Sequence, residues 1–455
     1  MNESTIAAIS TAQGAGGIGI IRISGDKAIE IADKLFVSFS GVKLSELEGY
    51  RAAYGKIVSD GETLDECVAL VFKNPKSFTG EDVVELCCHG GMLITKLVLR
   101  AVLSNGARAA EPGEFSRRAF VNGKMNLSEA ESIMNLISAQ SKSALKAANQ
   151  VREGGVSKKI YALCDRLENI AAHLSAWADF PEEDIPEVSD KNLRATLENS
   201  YNELQLLINN YDAGKAITQG VPTVILGKPN VGKSTLMNLL SGFDKSIVTD
   251  IPGTTRDIVE ETVVLDDVIL RLSDTAGIRD TDNVVEKIGV DRARSLIEQS
   301  QLVLAVFDSS SRFDDEDMQI IEDIGETPAV AIINKSDLES KFDTSYISEK
   351  FKYIVYISAK EGSGKEELVN AVKNATGAAD FSASALLLAG ERQRNAAEDA
   401  LTSVKSAIEA MDFGFSLDAV TVDIENALDK LYELVGKNVS EEIVDKVFHT
   451  FCVGK

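Results

Sequence analysis

The rhythm of hydrophobic and polar positions changes three times along this chain. Up to about residue 120, short runs of β-branched and apolar residues alternate with polar turns, as strands do. Gly17–Ser24 (GIGIIRIS), Cys67–Lys73 (CVALVFK) and Asp82–Cys88 (DVVELCC) are such runs. Met92–Leu103 instead has helical periodicity and stops before Asn105-Gly106, a turn signal. From Leu127 the spacing becomes wholly helical, with no Pro or Gly until Gly154. A helix is predicted to begin there, capped by Ser128, with Glu131 completing a capping box. Further helical runs, at about 158–178 and 193–213, flank an acidic loop from Pro181 to Pro186.

At Val221 the pattern switches to short apolar strands alternating with helices. TVIL, VVL, VILRL, LVLAVFD, AVAIINK and YIVYISA each read as a strand. Such alternation implies a sheet with crossover helices. After about Ala375 the chain reads as helical to its end. The simplest organisation is an α/β domain inserted into one helical domain whose two halves pair in space. The expected boundaries are 1–121 for an N-terminal α/β domain, 122–219 and 379–455 for the helical halves, and 220–378 for the insert.

Composition adds limits. A length of 455 residues leaves room for about three domains. A net charge of −24 argues against a bare nucleic-acid binder, because such a chain repels phosphate backbones on average. The five cysteines are irregularly spaced and only three histidines accompany them, so a structural zinc site is not expected and a reducing, cytoplasmic setting fits. The N-terminus lacks a signal-peptide pattern, and no apolar run is long enough to span a membrane.

Candidate chemistry concentrates in the middle third. Gly227-Lys-Pro-Asn-Val-Gly-Lys-Ser234 is a complete G-x-x-x-x-G-K-[ST] loop between a strand and a helix. Its glycines let backbone N–H groups from Asn230 through Thr235 wrap phosphates. Lys233 neutralises the β/γ-phosphates and Ser234 offers a hydroxyl to Mg²⁺. Asp274-Thr275-Ala276-Gly277 follows a strand, where the Asp can hold Mg²⁺ through water and the Gly can approach the γ-phosphate. Asn334-Lys335-Ser336-Asp337 follows another. There a buried Asp337 carboxylate would accept from N1–H and the 2-amino group of guanine, donors that adenine lacks. Ser358-Ala359-Lys360 supplies a second wall for the base. Between these motifs lies Gly253-Thr254-Thr255-Arg256-Asp257, where a first switch loop belongs. One of its threonines is expected on Mg²⁺, with Thr255 the candidate. Four motifs in order point to a Ras-like P-loop GTPase domain. Ile278 stands where Ras places a water-orienting Gln, so hydrolysis must borrow another group.

Two other glycine motifs are set aside. Gly14-Ala-Gly-Gly-Ile-Gly19 matches G-x-G-x-x-G, but Ile20-Ile21-Arg22-Ile23 follows it and favours a strand over the required helix. Gly362-Ser-Gly-Lys365 lacks phosphate-loop spacing and reads as an ordinary loop.

The whole chain resembles the tRNA modification GTPase family called MnmE or TrmE. Ile21–Gly25, Ser77–Gly91 (SFTGEDVVELCCHGG), Pro112–Glu131, the three GTPase segments and the tail Phe451–Lys455 (FCVGK) carry the resemblance. It implies a folate-binding-type N-terminal domain that dimerises, a discontinuous helical domain and an inserted GTPase domain. It also implies a flavin-containing (FAD) partner of the MnmG (GidA) type in a heterotetramer. The pair would modify C5 of the wobble uridine of certain tRNAs, bound mainly by the partner. The one-carbon donor would be 5,10-methylenetetrahydrofolate or a 5-formyl derivative. By resemblance, the folate contacts are Arg22, Glu85, Lys124 and Lys455, and the K⁺ ligands are Asn230, Thr249, Ile251 and Thr254. Glu286 matches a water-orienting catalytic glutamate, and Cys452 matches a C-terminal cysteine needed for modification. A regulatory GTPase of ribosome assembly is the alternative. It would need an RNA-binding module, and none is evident.

Overall fold

A computed structural model of the chain describes residues 4–12, 14–179, 190–242, 260–273, 295–380 and 385–454. The chain divides into two compact units, Met1–Met134 with Tyr432–Lys455, and Asn135–Leu431.

The first unit is built on a seven-stranded sheet. Its strands are β1 (Ile6–Ile9), β2 (Ile18–Ser24), β3 (Phe36–Ser38), β4 (Arg51–Ser59), β5 (Glu62–Phe72), β6 (Val83–His89) and β7 (Arg108–Ala109). They lie in the order β3-β4-β5-β6-β2-β1-β7, antiparallel except for the β1–β7 pair. Strand β5 starts at Glu62, earlier than its apolar run suggests, because Asp60 and Gly61 both take positive φ and close a hairpin. Alternation sends Ile21, Ile23, Val84 and Leu86 to one face, where they pack with Ile31, Leu35, Val98 and Val102 of the helices Ala28–Leu35 and Met92–Ser104. The opposite face of β2 carries Arg22.

The Gly14–Gly19 segment leads into β2, as its sequence suggests, and no helix starts there. A Cβ on Gly19 would stand 2.3 Å from Thr95 Cγ2, so glycine lets the helix sit close to the strand. With Met92, Thr95 and Lys96 the segment lines a cavity of about 250 Å³. The C-terminal helix Glu441–His449 belongs to this unit, where Val444, Phe448 and Phe451 pack with Leu127 and Ala130.

The long helix expected from Leu127 is two helices, Leu127–Ser138 and Lys142–Arg152. Ser141 interrupts them by capping the second, accepting from Ala144 N at 3.1 Å. The capping box at Leu127 is also displaced. Asn126 Oδ1 accepts from Glu129 N, and Glu129 Oε2 accepts from Asn126 N. Ser128 is buried inside the helix. Ser and Asn both cap well, so composition alone does not choose between registers two residues apart.

The second unit holds a six-stranded sheet in the order β13-β12-β11-β8-β10-β9. These strands are β8 (Val221–Leu226), β9 (Glu260–Leu265), β10 (Val268–Ser273), β11 (Leu302–Asp308), β12 (Ala329–Asn334) and β13 (Tyr353–Tyr356). Only the β9–β10 pair is antiparallel. Every residue of β11 is buried. Leu304 and Val306 face one core cluster while Val303, Ala305 and Phe307 face another, as expected for a central parallel strand covered on both sides.

The helices Asp190–Thr218 and Glu391–Asp412 pair within the second unit. Ion pairs Lys215–Glu391, Asp212–Arg394 and Arg194–Asp412 run along them in antiparallel register. Ala396, Ala397, Ala400 and Ala407 are buried, and their small side chains allow close approach. Among the described residues no helix is long and apolar enough to cross a membrane.

Candidate functional site

The phosphate loop sits at the C-terminal end of β8, where open α/β sheets bind ligands. Three of its residues take left-handed or otherwise positive φ: Gly227 (155°), Asn230 (63°) and Gly232 (100°). Two of them have no room for a side chain. A Cβ on Gly227 would lie 2.5 Å from Val306 O, and one on Gly232 would lie 2.2 Å from Asn334 Nδ2. The helix Lys233–Ser241 then opens with Ser234 and Thr235 exposed at its first turn. Lys233 Nζ donates to Gly227 O (2.6 Å) and Lys228 O (2.7 Å), which curls the loop around its own ammonium. Glycines where any Cβ would clash, a lysine inside the loop and a helix N-terminus without a side-chain cap fit a nucleotide's phosphates.

Asn334 joins the loops. Its Nδ2 donates to Val231 O at 2.8 Å, and its Oδ1 accepts from Ala359 N at 3.0 Å. It is 2% exposed, so both bonds are shielded from water. The phosphate loop, the Asn334–Asp337 loop and the Ser358–Lys360 loop are therefore one assembly. Ser358 Oγ donates to Asp337 Oδ1 at 2.6 Å, and this bond holds the Asp337 carboxyl below its ordinary range and so ionised at neutral pH. One expectation is corrected: Asp337 is exposed, not buried. Discrimination against adenine would then come from the base itself covering the carboxylate. Gly362-Ser-Gly364 is a loop that buttresses this wall, and Lys365 opens the helix Lys365–Ala375 that follows it. Gly362 N donates to Ser358 O at 2.7 Å.

Lys335 was singled out with its motif, but its partner Asp308 and the Lys228–Asp314–Asp317 cluster were not. Lys335 takes φ 62° and its ammonium bonds to Asp308, the last residue of β11. Burial alone would raise the Asp308 carboxyl. Hydrogen bonds from Lys335 and Ser310 outweigh that and lower it. Lys228 pairs with Asp314 and Asp317. Asp308 ends a strand pattern and Asp314-x-x-Asp317 is a capping-box pattern, so each carried a local signal but not its partner.

In the first unit, Arg22 and Glu85 stand opposite each other on β2 and β6. Arg22 Nε donates to Glu85 Oε1 at 2.8 Å, and both side chains are under one-fifth exposed. The Arg22 guanidinium lies 5.7 Å from the ring centroids of both Phe78 and Phe115. It also donates to Gly454 O, as Ser10 does at 3.0 Å, so the chain's own tail completes the site. A cation, a carboxylate and two aromatic rings suit a flat, anionic, hydrogen-bonding ligand such as a folate. Lys124 is further out, donating to Pro75 O at 3.0 Å. Cys452 is exposed.

Thr249, Ile251, Thr254, Thr255, Asp274, Thr275, Ala276, Gly277, Glu286 and Lys455 lie outside the described residues.

Two family models match the chain. The GTP-binding protein TrmE N-terminus matches residues 5–124, and the MnmE helical domain matches 127–452. Curated relatives match from end to end. A tRNA modification GTPase MnmE of Acetivibrio thermocellus is 42% identical over 100% of this chain and 99% of its own length. Those of Alkaliphilus oremlandii and Clostridioides difficile are 44% and 39% identical over the same shares. These matches cover both flanks of the nucleotide site as well as the site, which sets the ribosome-assembly alternative aside. The chain belongs to the MnmE (TrmE) family of tRNA modification GTPases.

Proposed function

We propose that GTP hydrolysis by this chain is stimulated by K⁺ and drives modification at C5 of the wobble uridine of certain tRNAs. The observation that carries the nucleotide part is Asn334, which ties the phosphate loop to both base loops through two shielded hydrogen bonds. In this reading the Gly227–Thr235 backbone and Lys233 hold the phosphates, and Asp337, Lys335 and the Ser358–Lys360 wall hold guanine. Ser234 and Thr255 hold Mg²⁺, with Asp274 acting through water. Asn230 is exposed on the loop with its backbone turned to φ 63°, which supports a role for its side-chain oxygen as a K⁺ ligand beside Thr249, Ile251 and Thr254. Mg²⁺ and K⁺, when bound, supply fixed positive charge where the transition state develops negative charge. Glu286 orients the attacking water through a second water, the task Ile278 is unable to perform.

Arg22, Glu85, Lys124 and Lys455 hold the tetrahydrofolate donor, and Cys452 serves the modification step. The chain acts in the cytoplasm as a homodimer, with an FAD-carrying MnmG (GidA)-type partner that brings most of the tRNA contact. The test is GTP hydrolysis by the full chain in KCl and NaCl at equal ionic strength, alongside Asn230→Ala. Stimulation by K⁺ that disappears in the variant is expected. Equal rates in the two salts would overturn the cation-dependent mechanism and leave the GTPase.

A further inference from the structure

Lys228 occupies a variable position of the phosphate loop, and its side chain leaves the loop. Its ammonium sits 2.7 Å from Asp314 Oδ2 and 2.9 Å from Asp317 Oδ2. The lysine side chain is 13% exposed and that of Asp317 only 2%, unlike the exposed pairs that contribute little. Both acids are fixed before they meet the lysine. Asp314 Oδ1 accepts from Glu316 N and Asp317 N, and Asp317 Oδ2 accepts from Asp314 N, a reciprocal cap on the helix Asp315–Ile324. Burial pushes the Asp317 carboxyl up, against the pull of Lys228, so this carboxylate depends on its lysine. The main-chain carbonyl of the same lysine has a different partner. Lys228 O and Gly227 O are the two acceptors that hold Lys233 Nζ.

The geometry points to Lys228 as a positioning residue for GTP. The Asp314–Asp317 cap grips its side chain, and its anchored backbone sets the carbonyls that hold Lys233. The inference deepens the nucleotide reading above and rests on Gly227–Ser234 being the phosphate loop. It acts through Lys233, and Lys228 itself touches no phosphate. The neighbouring Asp308–Lys335 pair does the same service for the base loop, so both sides of the nucleotide would be braced by acids at or just beyond the C-terminal end of β11, namely Asp308, Asp314 and Asp317.

The experiment measures the dissociation constant of a fluorescent GDP analogue in the full-length chain, with thermal unfolding of each nucleotide-free variant. Lys228→Met is expected to weaken binding about tenfold with little change in unfolding temperature. Lys228→Arg, whose fork can bridge two carboxylates, is expected to restore binding to within about threefold. Wild-type affinity in Lys228→Met, or failure of Lys228→Arg to restore it, would overturn the inference. Lys233→Ala separates the two claims. Loss of binding there with Lys228→Met unaffected sinks the tether alone, whereas retained binding in Lys233→Ala sinks the phosphate-loop reading beneath it. Should Lys228→Met fail to fold, Asp314→Asn changes the more exposed partner. A severalfold loss of affinity is then expected, and no loss would overturn the tether.

Discussion

The nucleotide loops of the second unit and the Arg22 site of the first are assembled on opposite principles. The loops present main-chain groups, and their shape depends on positions where no side chain fits, Gly227 and Gly232. The Arg22 site presents side chains on neighbouring strands, with a main-chain carbonyl from the tail at its edge. A site made of backbone fails when its conformation is strained. A site made of charges fails when a partner is removed, and its backbone survives.

The largest expected effect tests the first half of that contrast. Gly232→Ala places a methyl 2.2 Å from Asn334 Nδ2 at a φ of 100°. Backbone strain there costs about 1–3 kcal/mol, and the overlap with Asn334 adds to it. Hydrolysis of GTP should fall by about 100-fold or more. A near-wild-type rate in steady-state assays would mean that the loop can relax, against the packing described here.

Asn334→Ala follows. It strands Val231 O and Ala359 N in a buried place, at about 1–3 kcal/mol, and unties the loops. Nucleotide affinity should drop about tenfold by titration calorimetry, with GTP and GDP affected alike. A loss confined to the base, seen as weaker guanosine selectivity with unchanged phosphate binding, would show that the clip serves only one loop.

Glu85→Gln probes the other half. The Arg22 charge loses its ionised partner at a site under one-fifth exposed, at about 1–3 kcal/mol. Hydrogen exchange should accelerate at the β2 and β6 amides and stay unchanged at β8 and β11. Equal acceleration in both sheets would dissolve the contrast between the two units.

The same contrast explains what could be read from sequence. The nucleotide loops were legible because backbone sites demand glycines at fixed spacing, and their strands bury whole apolar runs. Strand β11 and the Gly227–Ser234 loop needed no outside help. Arg22 and Glu85 carry no local mark, since a strand accepts either residue on an open face. They were found through family resemblance; their pairing emerged only from the register of β2 against β6, and the Gly454 contact only from where the tail folds. The exposure of Asp337 was missed because a strand-end motif fixes the order of residues but not their depth. Ser141 was missed because its capping role ends no apolar pattern, and Asn126 because it competes with a serine two residues on.

The smallest effect concerns thiols and separates the first unit's sheet from its tail. Burial pushes Cys67 up to about 12 and Cys88 up to about 11, and Cys88 also donates to Gly19 O. At pH 8 only about one Cys88 in a thousand and one Cys67 in ten thousand is thiolate. Cys452 is exposed on the tail, so iodoacetamide should label it while sparing both buried thiols, as peptide mapping would show. The sign of the linked stability follows. Unfolded thiols ionise first, so this contribution is complete below the ordinary thiol value near 9 and shrinks as pH rises through about 11 to 12. Labelling of Cys67 or Cys88 ahead of Cys452 at pH 8 would mean that the sheet opens more readily than the tail is reached. The tail would then be the better-held part, and the strands beneath Arg22 the weaker one.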